Sequence, residues 1–153
     1  VPDLETPNDN RAVVNGHFRL EQEVQEFSFL GLVGGVSQWL FVRRGVASVT
    51  VSAANVLAED DTESIASRMW NEVALALDLG QQPLPDYRIV KEKRATFAQT
   101  PEQLKRRPAT ATDWRNLFLA GDWTDTGLPA TIEGSIRSGR KASEIVLLSS
   151  SWA

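Results

Sequence analysis

Hydrophobic and polar positions alternate along residues 12–20. Val14, Gly16, Phe18 and Leu20 fall on one face, and Val13, Asn15, His17 and Arg19 on the other. That period of two predicts a half-buried strand. Residues 27–33 and 36–42 are two further strand-like runs joined by Gly34-Gly35, and a two-residue glycine link between such runs predicts a hairpin. After Arg43-Arg44-Gly45 the alternation resumes over 46–54. There Ala47, Val49, Val51 and Ala53 face one way, and Val46, Ser48, Thr50 and Ser52 the other. The pattern is an antiparallel meander with one wet face.

The period then changes. Over 60–79, Ile65, Met69, Val73 and Leu77 recur every four residues with Trp70 beside them, which predicts an amphipathic helix. Asp60, with Glu63 three residues on, fits the capping-box spacing, and Gly80 is the expected stop. A loop with two prolines leads to a strand over 87–97. Its charged centre, Lys91-Glu92-Lys93-Arg94, suits a solvated face or an edge. Thr100-Pro101 opens a short helical turn, Arg107-Pro108 breaks it, and 109–115 reads as an extended lead.

The last stretch, 116–147, is NLFLAGDWTDTGLPATIEGSIRSGRKASEIVL. Leu117 to Ala120 is apolar without alternation, as in a strand covered on both faces. Gly121-Asp122 ends it, and Gly127 and Pro129 punctuate a loop. From about Thr131, the positions Ile132, Ile136, Gly139, Ala142 and Val146 form one helical stripe. A carboxylate just past a buried strand and a following helix N-terminus can together receive a polar or anionic ligand. The same residues also suit an ordinary strand–loop–helix crossover whose glycines serve packing. The fold class expected from the whole pattern is α+β: a mostly antiparallel sheet of four or five strands, a helix on one face, and a separate C-terminal strand–helix unit.

Composition narrows the chemistry. The net charge of −4 argues against nucleic acid as a partner, which needs a basic patch. The chain has no cysteine, so disulfides, thiolate catalysis and cysteine-held metal are excluded. His17 is the only histidine. No carboxylates are spaced to share a metal with it, and no nucleophile elbow accompanies it. A cross-strand or surface role is expected for His17, and no metal site is assigned. Residues 1–11 are polar and proline-bearing, as in a linker or a truncated end. No spanning segment of about 20 apolar residues occurs.

The wording AGDWTDTGLPATIEGSIRSG resembles the C-terminal flavin-binding motif of the amine oxidase and carotenoid desaturase superfamily. With the upstream pieces KEKRATFAQTP, RRPATAT and GGVSQWLF, it is most similar to the squalene-associated FAD-dependent desaturases, the hydroxysqualene dehydroxylases of bacterial hopanoid synthesis. Phytoene desaturase-like and amine oxidase flavoenzymes share much of the motif. A non-catalytic module binding a lipid or a protein is the alternative outside that class.

The resemblance implies that 12–115 is part of a substrate-binding domain and that 116–149 is the C-terminal strand–loop–helix of a Rossmann-like FAD-binding domain. Gly121, Asp122, Leu128, Pro129, Ala130, Thr131 and Ile132 would then contact FAD. Phe29, Trp39 and Phe41 would line an apolar isoprenoid pocket, although from the pattern alone Trp39 also reads as a core aromatic. Catalytic residues stay unknown. The superfamily holds the pyrophosphate with an N-terminal strand–GxGxxG–helix, and this chain has none. The expectation is therefore a fragment of an FAD-dependent oxidoreductase that reductively dehydroxylates hydroxysqualene to squalene. By itself it would be inactive and bind FAD weakly or not at all. The expected setting is cytoplasmic, with room for peripheral membrane association of the parent enzyme and self-association of the fragment.

Overall fold

A computed structural model describes residues 4–149, and within them all side chains except those of Phe27, Ser28 and Ser149. The chain divides into two compact units, one of Arg11–Ala95 and one of the flanking stretches up to Asn10 and from Thr96.

The first unit is a five-stranded, mostly antiparallel sheet with one helix against it. The strands are β1 (Asn10–Arg19), β2 (Phe27–Gly31), β3 (Trp39–Arg43), β4 (Val46–Val51) and β5 (Tyr87–Phe97), in the order β2-β3-β4-β1-β5. The alternation sets the faces as expected. Val14, Phe18, Leu40, Val42, Ala47, Val49 and Val51 are buried and pack with Ile65, Ala66, Met69, Trp70 and Val73 of helix α1 (Thr62–Ala76). Phe18 stacks against Trp70 at 5.6 Å and against Tyr87 at 6.5 Å between ring centroids. On the opposite face, pairs form across strands: His17 Nδ1 lies 3.0 Å from Ser48 Oγ, and Thr50 Oγ1 donates to Asn15 Oδ1. His17 thus has the cross-strand role expected of it.

Several local expectations are corrected. The helix cap is Asp61, whose carboxylate accepts from Ser64 N. Asp60 instead pairs with Arg68, because the helix starts one residue later than the capping-box spacing implied. At the other end the helix stops before Gly80: Asp78 takes the left-handed position next to the helix end, with φ 52, and Gly80 a second one two residues on, with φ 70. Leu79 N then donates to Ala74 O and Asp78 N to Leu75 O, the paired bonds that close a helix end in this motif. Ala53, read as a core position, has φ 52 and is exposed. The strand has already ended at Val51.

The hairpin exists, but its loop runs over 32–38 rather than over two glycines. The reason lies on α1. Glu72 accepts hydrogen bonds from the backbone N–H groups of Val36 at 2.8 Å and Ser37 at 2.7 Å. Those donors are therefore lost to the β2–β3 ladder, and the strands separate early. Charge-assisted bonds of this kind are each worth about 1.5–3 kcal/mol, enough to outweigh a ladder bond.

β5 is an edge strand, as its charge suggested. Lys93 pairs with Glu59 at 2.8 Å and Lys91 donates to the Asp60 carbonyl. The hydrogen bond from Lys93, and then its charge, hold the Glu59 carboxyl below the ordinary carboxylate range. The other edge, β2, carries Phe29 and Leu30, both exposed.

In the second unit, Thr100 caps the short helix α2 (Pro101–Lys105) through Gln103 N. The region after Pro108 is not an extended lead. Thr112 Oγ1 accepts from Trp114 N and donates to Leu117 O, folding 112–117 into a tight turn. Residues 117–120 do not form a strand. Only a single antiparallel bridge, Ala111 to Phe118, is made, and Leu117 and Ala120 are exposed. An unalternating apolar segment needs neighbours on both sides to become a strand, and among the described residues it meets only the stretch around Ala111. Helix α3 (Ile132–Ser149) follows.

Candidate functional site

The second unit is built around the loop from Gly121 to Thr131, which begins the region assigned to cofactor binding. Its shape is fixed from three directions. Arg107, directly after α2, reaches into the loop. Its Nη1 donates to Leu128 O at 2.7 Å, and its Nη2 to Asp122 O and Thr126 Oγ1, both at 3.0 Å. Its guanidinium lies 5.5 Å from the centroid of the buried Phe97 ring. From the helix side, Ser138 Oγ accepts from Gly121 N at 2.7 Å and donates to Ser135 O. Ser138 is fully buried although polar, and its two bonds account for that. The third contact is steric. A side chain at Gly134 would bring its Cβ to 2.8 Å from Pro129 O, so only glycine lets the loop lie on the helix.

Within the loop, Thr124 is buried and bonds Gly121 O through both its N–H and its hydroxyl. Gly121 has φ 142, and a Cβ there would run into the Trp123 indole at Nε1. Asp125 N donates to Pro108 O at 2.8 Å. Thr131 starts α3: its hydroxyl accepts from Gly134 N and donates to Pro129 O.

Two groups are left over from this web. The Asp122 carboxylate makes no hydrogen bond or ion pair with any described residue, whereas its backbone carbonyl is held by Arg107. The N–H groups of Ile132 and Glu133, at the positive end of an 18-residue helix, likewise have no acceptor among the described residues. A half-buried carboxylate and helix-start N–H donors without partners form a donor and acceptor set that suits a polar cofactor edge.

The structure therefore brings Gly121, Asp122, Leu128, Pro129, Ala130, Thr131 and Ile132 into one loop and helix start. The predicted helix stripe is a correction. Ile132, Ile136 and Val146 are exposed, and the side turned inward is Gly134 and Ser138. At about 100° per residue, an offset of two residues from Ile132 to Gly134 turns about 200°, so the helix buries nearly the opposite face against its own loop. Sequence reasoning missed Arg107, Thr124 and Ser138. Arg107 stood in a short basic run before a proline, and nothing in its spacing pointed to the loop.

Phe29, Trp39 and Phe41 lie together in the first unit. Phe29 and Trp39 meet edge to face at 5.7 Å, and Trp39 and Phe41 alternate with the buried Leu40 and Val42 on the face away from α1. Trp39 is 44% exposed, so it is not a core aromatic. Among the described residues no three His, Asp or Glu could hold a metal, and no helix is long and apolar enough to cross a membrane.

Residues 18–147 match the family model of the flavin containing amine oxidoreductases. The chain belongs to this family. Within the family it is 47% identical to the hydroxysqualene dehydroxylase of Rhodopseudomonas palustris over 147 residues, which cover 96% of this chain and 35% of the relative. It is 48% identical to that of Sinorhizobium fredii over the same shares. A zeta-carotene desaturase of a Synechocystis strain is 27% identical over 80% of the chain. The chain thus spans about a third of the length of the hydroxysqualene dehydroxylases it matches.

Proposed function

We propose that the chain is the C-terminal part of an FAD-dependent oxidoreductase acting on an isoprenoid, and that the whole enzyme reductively dehydroxylates hydroxysqualene to squalene. The observation that carries the reading is the loop from Gly121 to Thr131. It is held on its inner side by Arg107 and Ser138 and leaves the Asp122 carboxylate without a partner among the described residues, within a chain that matches hydroxysqualene dehydroxylases over 96% of its length. Asp122 would accept hydrogen bonds from hydroxyls of the cofactor's ribityl chain. The N–H groups of Ile132 and Glu133 would face its electron-rich ring edge, a dipole contribution of about 0.3–2 kcal/mol. Leu128, Pro129 and Ala130 would pack along that edge. When bound in its reduced form, the flavin would supply the hydride that replaces the substrate hydroxyl, the hydroxyl leaving with a proton as water and the flavin being left oxidised. Phe29, Trp39 and Phe41 would lie along the apolar chain of the substrate.

The test is a flavin titration of the full-length protein. Asp122→Ala is expected to weaken flavin binding at least about tenfold, one charge-assisted hydrogen bond being worth about 1.5–3 kcal/mol, with unfolding unchanged. The isolated chain is expected to bind flavin no better than micromolar; sub-micromolar affinity overturns that part of the reading. Turnover of hydroxysqualene, phytoene and a polyamine by the full-length enzyme separates the three flavoenzyme classes. Turnover of the amine alone removes the isoprenoid reading.

The isolated chain should also self-associate. Ile132, Ile136, Leu147 and Leu148 on α3, and Phe29 on β2, are all more than half exposed, an apolar display that soluble monomers seldom present. Sedimentation at micromolar concentration should show species above the monomer mass; a purely monomeric profile speaks instead for a stand-alone module.

A further inference from the structure

We infer that Arg107 is the positioning residue of the flavin loop, acting through the fork shape of its guanidinium rather than through its charge. This rests on the flavin reading above. The two acceptors that matter, Asp122 O and Leu128 O, are six residues apart in sequence, and each is reached by a different terminal nitrogen, at 3.0 and 2.7 Å. Thr126 Oγ1 takes a further bond from Nη2 at 3.0 Å and accepts from Leu128 N as well. One planar group thus fixes the separation of both ends of the loop.

Peptide planarity carries this fixation outward. In a trans peptide the C=O and the following N–H point in opposite directions. Turning the Asp122 carbonyl onto Arg107 therefore sets the orientation of the peptide that follows it, and with it the Cα from which the Asp122 carboxylate departs. The loop is bound from within, so that its ligand-facing groups stay free of protein partners.

No carboxylate pairs with Arg107 among the described residues, and its Nε is buried without an acceptor. Its surroundings are backbone carbonyls, one hydroxyl and the Phe97 ring. A lysine ammonium would keep the charge and could approach the ring. It is a single point donor and cannot present two coplanar nitrogens to acceptors fixed at two ends of a loop. The geometry separates shape from charge for this reason.

The decisive variant is Arg107→Lys in the full-length protein. The expected result is flavin binding weakened at least tenfold. Hydrogen exchange at the amides of Gly121, Thr124, Asp125 and Leu128 should quicken by a similar factor, while exchange in β1, β4 and α1 stays at the wild-type rate. The last measurement guards against general unfolding. Flavin affinity and loop exchange both at wild-type level in Arg107→Lys overturn the inference, since charge would then suffice. Quickened loop exchange with unchanged affinity overturns it too, because the loop's shape would not matter to the ligand. If the wild-type full-length protein binds no flavin, the functional reading fails by itself. The exchange arm then still reports whether the fork holds the loop.

Discussion

Gly134→Ala is expected to cost the full-length enzyme most of its bound flavin, with affinity reduced about ten- to hundredfold. The added Cβ would stand 2.8 Å from Pro129 O, and the obstructing atom is backbone, which cannot swing aside as a side chain can. Forcing a methyl group into a filled site typically costs about 1–3 kcal/mol, which corresponds to that loss if the loop gives way instead of the helix. Local helix propensity argues the other way, since alanine is favoured over glycine inside a helix by about 1 kcal/mol. The two effects are separable. Circular dichroism should show helix content unchanged or slightly raised, while flavin absorbance of the purified enzyme falls. Retention of flavin at the wild-type level would show that the approach of the loop to α3 is not needed for binding.

Phe18→Ala should produce the largest loss of stability in the sheet unit, about 3–5 kcal/mol. Phe18 has no exposed surface and sits between Trp70 and Tyr87. Its removal leaves a cavity that neither ring can fill without leaving its own partners, and Trp70 is additionally held by its indole N–H on the Gln82 carbonyl. Small domains are stable by only about 5–15 kcal/mol in total, so the variant should unfold at much lower urea concentration. A loss below about 1 kcal/mol would mean that the core rearranges freely, contrary to its close packing.

The parts of the fold that were legible in the sequence are those in which one strong period dominates. Val14, Phe18, Val49 and Val51 could be assigned to one face because strand geometry leaves two choices, and burial picks one for the whole strand. The stripe of Ile65, Met69 and Val73 was legible for the same reason. Failures occurred where two local signals competed and tertiary contact chose between them. Asp60 and Asp61 are both good caps; Asp61 takes that role, and Asp60 pairs with Arg68 instead. Gly34-Gly35 was a sound hairpin signal, but Glu72, 36 residues on from Val36, claimed the donors. The apolar run Leu117 to Ala120 has strand composition without strand partners.

In the candidate site the residues proposed to meet the cofactor were named through their resemblance to a known motif. The residues that shape the loop from behind were not. Arg107 acts through backbone hydrogen bonds across 15 and 21 positions, and Thr124 and Ser138 through backbone hydrogen bonds across 3 and 17. Such bonds leave no period and no spacing rule in the chain.

The two borders of the sheet are guarded unequally. Along β5, lysine, glutamate and arginine side chains make any approaching strand shed its water and meet like charge. Along β2, the approaching strand would find Phe29 and Leu30 and a backbone ladder ready to extend. During synthesis, β2 emerges well before β5 and before the loop that begins at Gly121. Because β2 precedes β5 in the chain, synthesis is expected to present the apolar border of this sheet before the charged one.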